Sequence, residues 1–265
     1  MKFVRFEDPA GTVMWGQEIS ADSALPVVGD LFGAWTLADE PVCIERKLAP
    51  ADPPNVFAIG LNYADHAREA GGRRLPAEPL IFIKASTSVT GPGDSIVLPR
   101  SAPDEVDYEA ELAIVIGKKA RHVAKEQAMD HVFGFTCAND VSARDCQIRR
   151  DKQWARAKSF DTFCPLGPVL VTTDALDCDR LEIRSVLNGR VMQQGTTADM
   201  VFSVAELVSY LSDQFTLLPG TVILSGTPAG VGFARKPPVY LRPDDRIEVE
   251  IEGIGCLSNR VVGPG

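Results

Sequence analysis

The feature that most constrains the fold of this chain is the stretch at residues 107–117, where acidic side chains lead directly into an apolar run. The apolar part, at 112–116, consists of aliphatic residues and predicts a buried strand. Side chains on a strand alternate between its two faces, so we expect Glu109 and Glu111 to point the same way. Two carboxylates on one face of a core strand repel each other unless a cation lies between them. The stretch therefore predicts either a divalent-metal site or a strand whose acidic end is exposed to solvent.

Turn-forming residues predict the fold class. The 22 glycines and 19 prolines are spread evenly over 265 residues, which favours many short strands over a helical bundle. Strand-like runs outnumber helical ones and do not alternate with them, so we predict a mixed α+β fold that is mostly β, with closed or stacked sheets. A proline-rich connector at 48–54 predicts a boundary between a small N-terminal β module at 1–50 and a main domain at 51–265.

The charge and the cysteine content exclude several classes of function. The net charge is −9 and no run of Lys or Arg could follow a phosphate backbone, so we expect no binding to nucleic acid. No apolar run approaches the ~18 residues of a membrane span. The charged start of the chain lacks the apolar region of a signal peptide. The 6 scattered cysteines form no Cys-x-x-Cys pair, which predicts free thiols in a reducing compartment and a cytoplasmic protein.

Local patterns predict individual elements. Asn62 is a candidate N-cap, and Gly71 a candidate end, for a short helix. Ser203 is the candidate N-cap of an amphipathic helix from Val204 to Phe215, with Glu206 as the acid of a capping box. Further signals include two strands at 2–6 and 12–19 and a hairpin around Asn188-Gly189.

Asp140 is the natural third partner for the two glutamates, because it ends a strand-like run in a turn of small residues. Three carboxylates and water molecules suit octahedral Mg²⁺ or Mn²⁺ and leave positions for a chelating substrate. The chain has only 3 histidines and no cysteine pair, so zinc fits the ligand set less well. Taken alone, Asp140 is more simply explained as the capping residue of an Asx turn.

His66 and Glu69 are a candidate catalytic pair. Their i, i+3 spacing places them on one face of the short helix. A histidine that is oriented by a carboxylate is a common general base. The spacing alone is explained more simply by a surface ion pair. Because the helix is short and is followed by Gly71-Gly72, it could also act as a mobile lid.

Lys158 lies in a polar segment that follows Asp140 and also contains Arg144 and Gln147. A lysine beside a metal could polarise a carbonyl or hold a carboxylate. The composition of residues 147–158 by itself favours a solvated charged face instead.

A glycine-rich turn at 225–232 follows an apolar strand. Its backbone N–H groups could approach a ligand oxyanion, although a purely structural turn explains the pattern equally well. The turn lacks the lysine and the following helix of a nucleotide-binding loop, so we do not expect a nucleotide there.

Five motifs occur together along the chain from about residue 55 onwards: Gly60–His66, Asp107–Leu112, Asn139–Asp145, Lys158–Phe163 and Ser225–Gly232. In this set of motifs and in their order, the chain resembles the fumarylacetoacetate hydrolase family, in particular its compact bacterial members and its acylpyruvase branch. The first 50 residues match less sharply. The resemblance implies a β-sandwich roll, a homodimer, and Mg²⁺ or Mn²⁺ bound by Glu109, Glu111 and Asp140.

The resemblance also implies roles for the other candidate residues. The pair of His66 and Glu69 would activate a water molecule, and Lys158 would help to hold the substrate. Three further residues would line the substrate pocket: Arg144, Gln147 and Thr227. The substrate would be a 2-oxo or 2,4-diketo acid, and the metal would stabilise the enolate that forms on cleavage of its C–C bond.

These observations favour a divalent-metal-dependent hydrolase that cleaves the C–C bond of a 2,4-diketo acid of the acylpyruvate or fumarylpyruvate type. An isomerase or decarboxylase acting on a 2-oxo or 2-hydroxy-dienedioate of aromatic catabolism, or on oxaloacetate, would use the same metal site. A non-catalytic binding protein of the same fold is a third reading. It is disfavoured because buried like charges are costly to keep at a site without chemistry.

Overall fold

A computed structural model describes residues 1–72 and 75–264 of the chain. Within these residues the protein is mostly β, as the sequence predicts. The first ten strands are β1 (Lys2–Glu7), β2 (Val13–Ser20), β3 (Ser23–Gly29), β4 (Trp35–Leu37), β5 (Val42–Cys43), β6 (Arg46–Leu48), β7 (Val56–Gly60), β8 (Leu80–Lys84), β9 (Val89–Thr90) and β10 (Ser95–Val97). The later strands are β11 (Val106–Asp107), β12 (Ala110–Ile116), β13 (Val132–Asn139), β14 (Ser142–Ala143), β15 (Cys164–Thr172), β16 (Glu182–Leu187), β17 (Arg190–Thr196), β18 (Val222–Leu224), β19 (Arg246–Ile251) and β20 (Gly255–Val262).

Three short α-helices connect these strands: α1 (Ala64–Glu69), α2 (Ala155–Lys158) and α3 (Val204–Gln214). Single turns of 3₁₀ helix occur at Ser86–Ser88, Cys178–Arg180, Thr197–Asp199 and Gly232–Ala234, a longer 3₁₀ segment at Lys125–His131, and a π-turn at Cys146–Arg150. No helix among the residues that the structure describes is long and apolar enough to cross a membrane.

The larger sheet has 13 strands and carries the acidic stretch near its middle. Its order is β4-β3-β2-β1-β15-β13-β12-β18-β7-β8, with β5, β6 and β9 paired alongside. Every residue of β12 is buried, which confirms the predicted core strand. One edge of β12 pairs along its length with β13, and Ala110 lies opposite Asn139. The other edge pairs with β18 only from Ala113 to Val115.

The smaller sheet has five strands in the order β10-β20-β19-β16-β17 and packs on the larger one. Ile183 of β16 and Val249 of β19 belong to the same buried cluster as Leu112 and Ile114 of β12. The hydrophobic core therefore lies between two stacked sheets, where side chains alternating along each strand meet from both sides. The predicted hairpin around Asn188-Gly189 connects β16 to β17 in this sheet.

The helix predicted after Ser203 is α3, and its capping box is present. The shorter predicted helix differs at both ends, because α1 begins after Tyr63 and ends before Ala70. The side chain of Asn62 does not cap it. The amide group of Asn62 instead donates to the carbonyl oxygens of Phe202 and Ser225, at 3.0 and 2.8 Å, and its own oxygen accepts from the N–H of Phe202. Long-range hydrogen bonds have therefore replaced the local cap that the pattern predicts.

The N-terminal strands are hydrogen-bonded to the rest of the large sheet. Strand β1 pairs with β15, with Lys2 opposite Val171 and Phe3 opposite Leu170. The side chains of Phe3 and Phe6 are 0% exposed. The division of the chain into a module at 1–50 and a domain at 51–265 stays a prediction.

Candidate metal centre and active site

Three buried carboxylates lie together where β12 begins and β13 ends. One oxygen each from Glu109, Glu111 and Asp140 lies within 4.8 Å of the others. The register explains this proximity. Ala110 pairs with Asn139, so Glu109, which precedes Ala110, lies opposite Asp140, which follows Asn139. The N–H of Asp140 accordingly donates to the carbonyl oxygen of Glu109 at 2.9 Å. Antiparallel pairing thus brings together three acids that the sequence separates.

Basic side chains neutralise two of the three carboxylates. Lys158 Nζ donates to Glu109 Oε2 at 2.7 Å and to Asp140 Oδ2 at 2.6 Å. Arg144 Nη2 donates to Glu109 Oε1 at 2.6 Å. Lys84, at the end of β8, donates to the second oxygen of Asp140. Lys84 was missed by the sequence analysis, although a lysine ending an apolar strand is a signal that could have identified it.

Glu111 is the carboxylate that these basic groups do not contact. Burial, followed by the charges of Asp140 and Glu109, holds the pKa of Glu111 well above its ordinary value. Burial also opposes ionisation of Glu109, but the charges of Lys158 and Arg144 outweigh it and lower the pKa of that group. The hydrogen-bond donor to Glu111 is the backbone N–H of Gly226, at 2.7 Å. Glu111 therefore marks the side of the cluster where positive charge is lacking.

The donor set fits a divalent cation that prefers oxygen ligands. All three groups are carboxylates, all are buried, and their oxygens are close enough to share one ion. Counting the buried acids and bases of the centre gives four carboxylates against three cations: Asp107, Glu109, Glu111 and Asp140 against Lys84, Arg144 and Lys158. A divalent ion would offset this excess of negative charge, and Glu109, Glu111 and Asp140 would hold it.

A cavity of about 180 Å³ opens onto this cluster. It is lined by seven of the nine residues predicted for the site: His66, Glu109, Glu111, Arg144, Gln147, Lys158 and Thr227. The other two contact members of the lining, because Asp140 binds Lys158 and Glu69 binds His66. Apolar side chains complete the walls: Ile59, Leu61, Phe82, Ile148, Trp154 and Phe233. The structure therefore brings all nine predicted residues to one place.

His66, which is buried, and Glu69, which is partly exposed, form a pair at the edge of this cavity. Nδ1 of His66 lies 3.0 Å from Glu69 Oε1. The carboxylate of Glu69 also accepts from the N–H of Gly230, at 2.9 and 3.0 Å to its two oxygens. With Glu69 ionised, the hydrogen of this pair is on Nδ1, which leaves Nε2 as an acceptor. His66 also lines the cavity, and its role as a general base stays a prediction.

Arg144 and Gln147 form a polar wall beside the metal-ligand candidates. Arg144 donates to Asp107 Oδ2 at 2.8 Å and to Gln147 Oε1 at 2.7 Å. Its guanidinium group also lies over the ring of Phe233, 4.4 Å from the ring centre. Arg144 is therefore held rigidly by contacts on several sides. Its contact with a substrate, like that of Gln147, stays a prediction.

The backbone of the glycine-rich turn is bound to carboxylates of the protein itself. The N–H groups of Gly226 and Gly230 donate to Glu111 and Glu69, as described above. The N–H of Gly232 donates to Asp107 Oδ1 at 2.7 Å. These N–H groups are therefore not free for a ligand oxyanion, and the turn instead connects the acidic residues of the site. Asp107, which the sequence analysis did not single out, also binds the N–H of Phe233 at 3.0 Å.

Residues 55–262 match the model of a family described as fumarylacetoacetate (FAA) hydrolase C-terminal. The chain is 50% identical over 217 residues to the rat mitochondrial oxaloacetate tautomerase Fahd2a, covering 81% of this chain and 69% of that protein. It is 51% identical over 218 residues to the human mitochondrial oxaloacetate tautomerase FAHD2A, covering 81% and 69%.

Solved structures extend the likeness to nearly the whole chain. A 5-carboxymethyl-2-hydroxymuconate delta-isomerase from Mycobacterium smegmatis superposes with a TM-score of 0.87 at 40% identity, covering 99% of this chain and 100% of that one. A 2-hydroxyhepta-2,4-diene-1,7-dioate isomerase from Mycobacterium marinum gives a TM-score of 0.86 at 39% identity, covering 100% and 99%.

Proposed function

Because the chain belongs to the fumarylacetoacetate hydrolase family, we propose that it is a divalent-metal-dependent tautomerase of a small 2-oxo dicarboxylic acid. Oxaloacetate is the first candidate substrate. The observation that carries the proposal is one small cavity that joins the acidic cluster to the pair of His66 and Glu69. Its volume of about 180 Å³ would hold roughly six water molecules, which suits a substrate of few carbons. Relatives described as oxaloacetate tautomerases share half of the aligned residues.

The residues of the chain would divide the work between binding and proton transfer. Glu109, Glu111 and Asp140 would hold a Mg²⁺ or Mn²⁺ ion, which would supply a Lewis acid for the 2-oxo group. Lys158 and Arg144 place positive charge beside that group and hold the substrate carboxylate. Nε2 of His66 takes the proton from the carbon next to the 2-oxo group and returns it to the enol oxygen. Glu69 stabilises the imidazolium that exists between the two transfers.

Hydrolysis of a 2,4-diketo acid of the acylpyruvate or fumarylpyruvate type is the second candidate. The observation that favours it is the same pair, because a histidine oriented by a carboxylate at 3.0 Å could activate water in place of the substrate carbon. Isomerisation of a 2-hydroxy-dienedioate of aromatic catabolism would use the same proton transfer as the first proposal, on a substrate with a longer carbon chain. Decarboxylation of oxaloacetate would need the metal cluster and no abstraction of a proton from carbon, because loss of CO₂ forms the enolate, which then takes up a proton on carbon to give pyruvate.

A panel of substrates separates these reactions. Oxaloacetate, acetylpyruvate, fumarylpyruvate and a hydroxy-dienedioate are incubated with Mg²⁺, with Mn²⁺ and with EDTA, and the products are identified. We expect metal-dependent loss of the absorbance of enol-oxaloacetate without release of pyruvate. Cleavage of acetylpyruvate without acceleration of this tautomerisation would replace the first proposal with the second.

The variant His66→Ala tests the assignment of the base. We expect its turnover to fall by about 10²- to 10⁴-fold, the usual contribution of a positioned acid or base. Oxalate, which resembles the enolate, should still bind in the presence of metal, because the carboxylate cluster is intact. Full activity in this variant would remove His66 from the mechanism.

We also propose that the enzyme is a homodimer and that it acts in the cytoplasm. The support for both is the family resemblance and the sequence pattern. Light scattering on the purified protein should give about twice the mass of the chain, which is 28.6 kDa. A mass of one chain would contradict the dimer.

A further inference from the structure

The backbone between the two glutamates lacks a neighbouring strand on one side. Ala110 pairs with Asn139 of β13 on its first side. On its second side β18 stops pairing after Leu224, which lies opposite Ala113. The N–H and C=O groups of Ala110 on that side are buried and need other partners.

Two side chains occupy the place of the missing strand. The N–H of Ala110 donates to Gln193 Oε1 at 2.9 Å, and Thr227 Oγ1 donates to the carbonyl oxygen of Ala110 at 2.8 Å. Gln193 Nε2 donates to Thr227 Oγ1 at 2.7 Å and to the carbonyl oxygen of Pro228 at 2.8 Å. Gln193 is only 1% exposed. Both polar ends of this side chain are therefore used in a closed set of hydrogen bonds.

We infer that Gln193 is a positioning residue for the metal site, holding the backbone between Glu109 and Glu111 so that their carboxylates converge. It comes from β17 of the smaller sheet, and it therefore also couples that sheet to the acidic strand. The inference rests on the proposed metal centre but not on any particular substrate. Groups that orient metal ligands in this way typically change metal affinity by 10- to 100-fold.

The chemistry of the position explains why glutamine suits it. The site needs one acceptor, for Ala110, and two donors, for Thr227 and Pro228, and a primary amide supplies both. A carboxylate in place of Gln193 would lack the donors and would add charge to a centre that already has excess negative charge. A leucine would fill a similar volume and make none of the three hydrogen bonds.

Metal titration of Gln193→Leu tests the inference. We expect the folded variant, verified by circular dichroism, to bind Mn²⁺ at least tenfold more weakly than the wild type in calorimetry. The electron paramagnetic resonance spectrum of bound Mn²⁺ should also change, because it reports ligand geometry, which a purely structural residue would leave unaltered. The matched control is Gln194→Leu, whose side chain is exposed on the same strand. Its Mn²⁺ affinity should stay within about twofold of the wild type.

If Gln193→Leu does not fold, Thr227→Val tests the same set of hydrogen bonds. It removes the hydroxyl that joins Gln193 to Ala110, and we expect the same direction of change in Mn²⁺ affinity. Wild-type affinity and spectrum in the folded Gln193 variant, or in Thr227→Val where that alone folds, would overturn the inference. A wild-type protein that binds no Mn²⁺ would overturn the metal centre and the inference together, so the two failures are distinguishable.

Discussion

At the scale of single residues, the charge of the metal centre is least balanced at Glu111. Lys158 and Arg144 contact Glu109, whereas Glu111 is buried beside two other carboxylates and accepts from a backbone N–H. Buried like charges destabilise the folded state when no cation separates them. The metal-free protein therefore keeps Glu111 at a cost in stability, which is common where a residue serves function.

Glu111→Gln should stabilise the metal-free protein and abolish its stabilisation by Mg²⁺. We expect the melting temperature of the metal-free protein to rise by about 2–4 °C, corresponding to roughly 1 kcal/mol in a chain of this size. The stabilisation by Mg²⁺, about 2.7 kcal/mol at a hundredfold excess over Kd, should disappear. Glu182→Gln, at an exposed acid on β16, should change neither quantity. An undiminished response to Mg²⁺ in the Glu111 variant would exclude this residue as a ligand.

Trp154 forms part of the wall between the cavity and an outer groove. Trp154 and Phe82 line both spaces, and their rings pack edge to face with centres 5.5 Å apart. The groove, along β8, has a volume of about 540 Å³. A Cβ on Gly60 would lie only 2.6 Å from the ring of Trp154, so glycine leaves room for the indole. If the substrate binds in the cavity as proposed, this wall would limit how far it can extend.

Trp154→Ala should join the cavity to the groove. We expect selectivity, measured as the ratio of kcat/KM values, to shift by about tenfold or more toward 2-oxo acids with longer chains. Phe215→Ala is the matched control, because Phe215 lines the groove but not the cavity, and it should leave the ratio unchanged. An unaltered ratio in the Trp154 variant would show that chain length is selected elsewhere.

At the scale of elements, α3 is stabilised at its start by reciprocal hydrogen bonds. Glu206 Oε2 accepts from the N–H of Ser203 at 2.8 Å, and Ser203 Oγ accepts from the N–H of Glu206 at 3.4 Å. The hydrogen bond from Lys125, followed by those from Ser203, lowers the pKa of Glu206 to about 2. Since the folded pKa is below the ordinary value of 4.5, the carboxylate stabilises the fold above about pH 4.5 and loses this effect as the pH falls toward 2.

Variants of Ser203 and Glu206 test how much the capping box of α3 contributes to the stability of the protein. Ser203→Ala should lower the free energy of unfolding by about 1 kcal/mol at pH 7. Glu206→Gln should be less stable than the wild type at neutral pH, and the difference should shrink as the pH falls from 4.5 to 2. Glu45→Gln, at an exposed acid outside α3, serves as the control in urea unfolding at each pH. A difference that is constant with pH would contradict the role of the charged carboxylate.

At the scale of the whole molecule, the N-terminal strands contribute to the main core. Phe3 shares a buried cluster with Leu170 and Val115, and Phe6 shares one with Ile114. Truncating a buried phenylalanine typically costs 3–5 kcal/mol, which is a large part of the stability of a domain. Removing β1 would also expose the edge of β15 that it covers.

The fragment 51–265 should therefore lose its cooperative unfolding transition. Calorimetry on the fragment and on the full chain measures this directly, and the full chain should show a single transition. A control that removes only Met1 keeps β1 intact and should unfold like the full chain. A fragment that unfolds cooperatively near the temperature of the full chain would instead support a domain boundary near residue 50.

The amino-acid sequence determined the local and compositional features of this protein. The buried strand after Glu111, the hairpin at Asn188-Gly189 and the capped helix α3 follow from patterns within a few residues, because alternation, turn chemistry and capping are local. The family followed from motifs in a fixed order. For the site, the sequence indicated three carboxylates, and a cluster of those three exists.

Only the tertiary structure decided which groups contact one another. The register of β12 and β13 places Asp140 beside Glu109, and strand β8 supplies Lys84, which no motif indicated. Gln193 reaches the site from the other sheet, 83 residues along the chain from Ala110. Such partners are set by how buried polar groups find hydrogen bonds after the sheets have packed, and this depends on distances in space that a linear pattern does not contain.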